Sequence, residues 1–128
     1  LGLRPQSVHK IGGFKVQGRD PDKAKEMCAS AKRLQDAGAD IVLLECVPNE
    51  VGKMVRATLE VPVIGIGAGP DVDGQVLVLY DILDITRGRT PKFVKNFQAG
   101  RTSPLEALEA FVSEVKNRDY PAPVHCFS

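Results

Sequence analysis

Glu45 is the residue whose type and setting most invite chemistry. It follows the apolar run Ile41-Val42-Leu43-Leu44 and precedes Cys46-Val47-Pro48. A carboxylate where an apolar strand gives way to a loop sits at the edge where parallel α/β sheets bind their ligands. Partial loss of water there raises its pKa toward the range of a general base. Residue type alone leaves a second reading open with equal weight, an ion pair with an Arg or Lys at the strand end. Gly65-Ile66-Gly67-Ala68-Gly69, followed by Asp71, Asp73 and Gly74, is the next candidate. Its backbone N–H groups could meet an anion. It lacks the Gly-Lys-Ser/Thr of a phosphate-binding loop and the spacing of a dinucleotide fingerprint, which favours a plain tight turn.

Two cations, Lys15 and Arg19, lie in the glycine-framed stretch Gly12-Gly13-Phe14-Lys15-Val16-Gln17-Gly18-Arg19. They could close on an anionic substrate or a polyanionic tail; solvated surface charges are the plainer reading. In Pro91-Lys92-Phe93-Val94-Lys95 both lysines are expected to lay their stems over apolar neighbours. Cys28, Cys46 and Cys126 have no CxxC spacing, and their odd number argues against a disulfide framework; Cys28 and Cys46 fall in apolar stretches, which suits small buried hydrophobes in a reducing compartment. His9 and His125 have no partner at ligand spacing, so no residue of the chain is assigned to a metal.

The elements that must position these residues are legible in part. Asp20 followed by Pro21 marks a helix start. Ala24, Met27, Cys28, Ala31 and Leu34 then form one apolar stripe, and Gly38 closes the pattern, which predicts a helix over 21–37. The continuous run Ile41–Leu44 predicts a strand apolar on both faces, as in a parallel sheet covered by helices. Pro48 opens a second helix with Val51, Val55 and Leu59 on one face, and Pro62 stops it. Val61–Ile66 predicts another buried strand. Helix, strand, helix, strand with short connections is the rhythm of βα units. Gln75–Leu83 stays open between strand and helix, because a parallel crossover normally needs a dozen or more residues. Ser103-Pro104-Leu105-Glu106 is a capping box opening a helix to about Asn117, with Leu105, Leu108, Phe111, Val112 and Val115 on one face. Residues 1–19 read as an entry loop with a brief strand-like Phe14–Gln17, and 121–128 as an irregular tail.

With 128 residues the chain suffices for one domain and is too short for two. Hydrophobic residues at 43%, charged residues at 26% and a net charge of +1 are ordinary for a soluble globular protein. They give no field to draw nucleic acid or an anionic membrane. No apolar run approaches the roughly 20 residues of a membrane span, and no signal peptide is legible. The start at Leu1, without Met, leads us to expect residues upstream.

Taken in order, LGLRPQSVHKIGGFKVQGR, AGADIVLLECVP, VPVIGIGAGPDVDGQVLVLYD, PKFVKNF and YPAPVHCFS resemble the successive motifs of the ketopantoate hydroxymethyltransferase family over essentially the whole chain. The resemblance implies the C-terminal half of a (β/α)8 TIM barrel spanning 1–128, with parallel strands and amphipathic helices outside. It implies transfer of a one-carbon unit from 5,10-methylenetetrahydrofolate to 3-methyl-2-oxobutanoate, giving ketopantoate for pantothenate and coenzyme A. The family's catalytic base falls on Glu45. Mg²⁺ on the substrate's keto and carboxylate oxygens stabilises the enolate, and its ligands are expected in the N-terminal half. So are the substrate-holding Ser and Lys; the roles of these absent residues are not carried to Asp71, Asp73 or Asp81. The implied protein is a cytoplasmic homo-oligomer acting on small 2-oxo acid and folate substrates, and this segment alone is expected to be inactive. Competing readings are a Mg²⁺-dependent barrel of the phosphoenolpyruvate mutase and isocitrate lyase type, or a small α/β module holding an anion at Gly67–Gly69.

Overall fold

The computed structural model describes residues 1–11 and 13–128; Gly12, part of the glycine frame around Lys15, lies outside them. After a 3-10 turn at Pro5–Ser7 come α1 (Val8–Ile11), α2 (Pro21–Asp36), β1 (Val42–Glu45), α3 (Asn49–Thr58), β2 (Val63–Ile66), β3 (Gly74–Gln75), α4 (Leu79–Ile82) and α5 (Pro104–Asn117). The three strands form one parallel sheet in the sequential order β1-β2-β3, with Val42 opposite Val63 and Glu45 opposite Ile66.

The two long helices begin where their caps dictate. The Asp20 carboxylate accepts the N–H groups of Asp22 and Lys23 at 3.0 and 3.2 Å, and Pro21 takes the first helical position. At α5, Ser103 Oγ accepts the Glu106 N–H at 3.2 Å. Glu106 reaches back one residue further than a capping box requires, to the N–H and hydroxyl of Thr102. The α2 stripe holds for Ala24, Met27, Cys28 and Ala31, but Leu34 is exposed. A helix of 16 residues is about 24 Å long and a strand of 4 about 13 Å, so the last turns of α2 overhang the sheet. On α5, Ala107 is the innermost residue, with Leu108, Phe111 and Val115 beside it; Leu105 and Val112 point away into solvent.

Two cores result. In the first, Val42, Leu44 and Val63 of the sheet meet Ala24 and Ala31 of α2 and Val51 and Val55 of α3. In the second, Leu77, Ile82, Phe93, Phe97, Ala107 and Tyr120 pack beneath the ends of the strands together with Leu3 and Cys46. Phe97, Phe111 and Tyr120 meet edge-on, with centroids 5.4 to 6.0 Å apart. The opposite face of β1 has no covering layer. Ile41 is 59% and Leu43 44% exposed there. Helices thus cover one face of the sheet, not both.

Several segments depart from expectation: the entry loop contains the turns Pro5–Ser7 and Val8–Ile11, and the irregular tail contains a 3-10 turn at Pro123–His125. Residues 1–3 are not a loop but run parallel to β1: the Glu45 N–H donates to Leu1 O at 3.0 Å and the Leu3 N–H to Glu45 O at 2.9 Å. Phe14–Gln17 forms no strand; its tie to β1 is the Gln17 N–H on Cys46 O at 2.9 Å. Gln75–Leu83 is divided between the end of β3 and the turn of α4. Its parallel pairing with β2 through the short loop 67–73 is made possible by Asp73. The Asp73 carboxylate accepts the Val63 N–H at 2.8 Å and pairs with Arg56 Nε at 2.6 Å, while its own N–H donates to Val63 O. Burial pushes this carboxyl up, but the hydrogen bonds from Val63 and Arg56 and the Arg56 charge outweigh it and lower its pKa.

Candidate functional site

Glu45 is the last residue of β1, and its backbone is held on both edges. Leu1 and Leu3 bond it on one side, and on the other the following Cys46 N–H donates to Ile66 O at 2.9 Å. Cys46 then turns left-handed at φ 50°, ending the pleat and sending the chain toward α3. The Glu45 side chain shares the uncovered face with Leu43 and opens on a cavity of about 730 Å³. Among the described residues its carboxylate has neither hydrogen-bond donor nor ion-pair partner, so the strand-end ion pair is not what the fold provides. Burial raises its pKa. A partly dehydrated, unpaired carboxylate of raised pKa is suited to accept a proton from a weak carbon acid.

The cavity walls come from four stretches. Phe14, Lys15 and Val16 stand at one side, Leu3, Cys46 and Ile66 at the strand ends, Val78 and Asp81 on the α4 side, and Arg89–Phe93 with Phe127 opposite. Lys15 lines the cavity although it is exposed, where its sequence setting favoured a plain solvated charge. Arg19 does not: its Nε donates to Ser128 O at 3.1 Å. Lys92 lines the cavity, donates to Cys126 O at 2.6 Å and lies 5.7 Å from the centre of the Phe127 ring. Lys95 is spent on Glu114 at 2.6 Å, with its Nζ 5.1 Å from the centre of the Phe97 ring.

The glycine run is a packing device. Gly67 has φ 63°, and a Cβ there would meet Phe93 Cδ1 at 2.5 Å, so the loop can pass under the Phe93 ring only as glycine. The Gly67 and Gly69 carbonyls accept the Val47 N–H and Gln75 Nε2, and neither glycine lines the cavity around Glu45. Asp71 is exposed and Asp73 is committed to Arg56. Among the described residues, no group of three or more His, Cys, Asp or Glu side chains is placed to hold a metal ion. None of the helices described is long and apolar enough to cross a membrane. Cys46 is buried, its thiol pushed up to about 11 by burial and by the neighbouring Glu45 charge, so it is no nucleophile. Cys28 is half-buried, and all three cysteines are free.

Asp81 is the residue that sequence reasoning passed over. It is only 8% exposed, yet it lines the same cavity as Glu45. Its one signal was its place as the sole charge in the apolar run Val76–Leu83.

Comparison with known proteins bears on this arrangement. Residues 1–123 match the model of a family described as ketopantoate hydroxymethyltransferase. A 3-methyl-2-oxobutanoate hydroxymethyltransferase of Chromohalobacter salexigens is 56% identical over 99% of this chain and 48% of its own length. Relatives of the same name from Alkalilimnicola ehrlichii and Pseudomonas fluorescens are 55% and 53% identical, over 46% and 48% of their lengths. The chain spans about half the length of the curated relatives it matches.

Proposed function

The chain belongs to the ketopantoate hydroxymethyltransferase family, and from that premise we propose that it forms the C-terminal half of a (β/α)8 barrel in which Glu45 is the general base. The reaction is hydroxymethyl transfer from 5,10-methylenetetrahydrofolate to 3-methyl-2-oxobutanoate, in pantothenate and coenzyme A biosynthesis. Three observations support the barrel: a sequential, wholly parallel sheet, helices on one face only, and an apolar second face at Ile41 and Leu43 with nothing upon it. Strands that await neighbours on that face behave as the inner wall of a barrel does.

The observation that carries the catalytic reading is the unpaired Glu45 carboxylate, raised in pKa by burial, at a strand end and on a large cavity. The C3 proton of a 2-oxo acid is weakly acidic, because the carbanion it leaves is delocalised onto the keto oxygen. Glu45 takes that proton. The enolate carbon then bonds to the one-carbon unit, whose two bonds to folate nitrogens break in turn; water supplies the oxygen of the new hydroxyl, and the C3 proton together with one proton of that water end on the two freed nitrogens. The Mg²⁺ implied by family resemblance finds no cluster of ligands among the described residues. This chain's described side chains do not fit that role. Alone, the segment is inactive; the full-length protein is a cytoplasmic homo-oligomer that acts on small molecules.

The test uses a full-length hybrid in which the remainder of the Chromohalobacter salexigens relative is joined to this chain. With Glu45→Gln, the 2-oxo acid still binds, while exchange of its C3 proton with deuterated water, followed by NMR, collapses by at least about a hundredfold. Exchange near the unsubstituted rate would assign the base elsewhere.

A further inference from the structure

In this chain the cavity beside Glu45, at about 730 Å³, has room for more than a small branched 2-oxo acid. The surplus is bounded in a particular way. Three phenylalanines line it: Phe93 and Phe127 meet edge-on with centroids 6.4 Å apart, and Phe14 is 78% exposed at its mouth. Rings presented to an open space are surfaces for a flat partner. The Asp81 carboxylate lines the same cavity. Its Oδ1 accepts the Thr86 hydroxyl at 2.5 Å; no donor among the described residues reaches its Oδ2. Lys15 and Arg89 also line the cavity, and among the described residues neither meets a carboxylate.

We propose that Asp81 is a binding residue for the one-carbon donor, its free oxygen accepting N–H groups from a flat amino-substituted heterocycle. The ring lies among Phe14, Phe93 and Phe127, and Lys15 and Arg89 at the mouth take the ligand's acidic tail. The chemistry selects the ligand class. A mostly buried carboxylate that lines the cavity and keeps one oxygen unpaired offers an acceptor there, and an amidine-like edge offers N–H donors side by side. Uncommitted cations at the entrance suit carboxylates that stay in water. The inference rests on the proposed function, under which this ligand is the reduced pterin of methylenetetrahydrofolate. It adds the group that reads that ring and the residues that receive its tail. Thr86 serves as a positioning residue, fixing the Asp81 rotamer through Oδ1.

The full-length hybrid tests this with Asp81→Asn and Thr86→Val. The KM for methylenetetrahydrofolate is expected to rise about ten- to hundredfold in Asp81→Asn and less in Thr86→Val, the usual range for hydrogen bonds to a charged group. Glu45-dependent exchange of the C3 proton, which needs no folate, is expected to stay within about threefold of the unsubstituted enzyme. A donor lacking the 2-amino group supplies the readout that a merely structural role would not move. The unsubstituted enzyme discriminates against it, and Asp81→Asn does not. An unchanged KM, or discrimination that survives Asp81→Asn, overturns the assignment. So does loss of exchange in step with transfer, which would mean that Asp81 holds up the enolising site. Failure of the broader reading looks different: Glu45→Gln would then leave exchange intact, whatever Asp81 does.

Discussion

Replacing Gly67 by alanine should damage the protein in two separable ways. At φ 63° a side chain meets left-handed strain, about 1–2 kcal/mol. The added Cβ would also lie 2.5 Å from Phe93 Cδ1 and 3.0 Å from Cγ, inside any real contact distance, and the ring it strikes is buried. Forcing a methyl into such a contact adds about 1–3 kcal/mol. Gly100→Ala isolates the first effect, because Gly100 has φ 73° and a Cβ there meets nothing within 4 Å. In the full-length hybrid, thermal melts should place Gly67→Ala below Gly100→Ala by about 2–4 °C for each kcal/mol of overlap. Combining Gly67→Ala with Phe93→Leu should recover part of that gap, since the two residues touch and their effects cannot add. Equal melting points for the two alanine variants would refute the reasoning. So would a double variant no better than the sum of its parts. Displacing Phe93 also narrows the cavity, so donor KM should rise in Gly67→Ala and not in Gly100→Ala.

Three further outcomes are expected. Burial raises the Glu45 pKa, so C3-proton exchange should fall off on acidification at a pH above an ordinary glutamate's pKa of about 4.3. Folded protein then holds a proton that unfolded chain has released, so stability declines as pH rises from the ordinary to the raised value, and Glu45→Gln abolishes that slope. An acid limb at or below the ordinary value would count against the burial argument. Leu43, 44% exposed in this chain, should behave as a core residue in the full-length hybrid. There Leu43→Asn should cost about 2–4 kcal/mol in urea unfolding, and a cost within about 0.5 kcal/mol would sink the half-barrel proposal.

What could be read from sequence was whatever is decided locally. Asp20-Pro21 and Ser103-Pro104 start their helices through neighbours two or three residues away, and both helices begin where those residues say. The apolar run before Glu45 marked β1, and with it the carboxylate at its end. Illegible were pairings that bring distant residues together. Leu1–Leu3 carries too few residues to show a pattern, and its place is set by bonds to residue 45. The parallel register of β3 depends on Asp73 reaching Val63 and Arg56, which no spacing rule announces. Leu105 and Val112 fit the apolar period of α5 but not its buried face, because period alone cannot tell which side a neighbour covers. Asp81 was missed for a related reason: a lone charge in an apolar run reads as a flaw in the pattern until the cavity it borders is seen.

The residues after Tyr120 carry a consequence for synthesis. The Phe127 carbonyl receives the Asn49 N–H at the start of α3, Cys126 O receives Lys92, and Ser128 O receives Arg19. Phe127 is also a wall of the cavity that holds Glu45. A ribosome that has delivered everything through α5 has therefore produced both carboxylates of the site but not its closing wall. A frameshift or nonsense codon after residue 120 would spare every α-helix and strand and lose only the 3-10 turn Pro123–His125, yet leave the site open to water and the start of α3 without its bond to Phe127. Selection on so short a tail would then look like selection on an active site, although the tail carries none of the reacting groups.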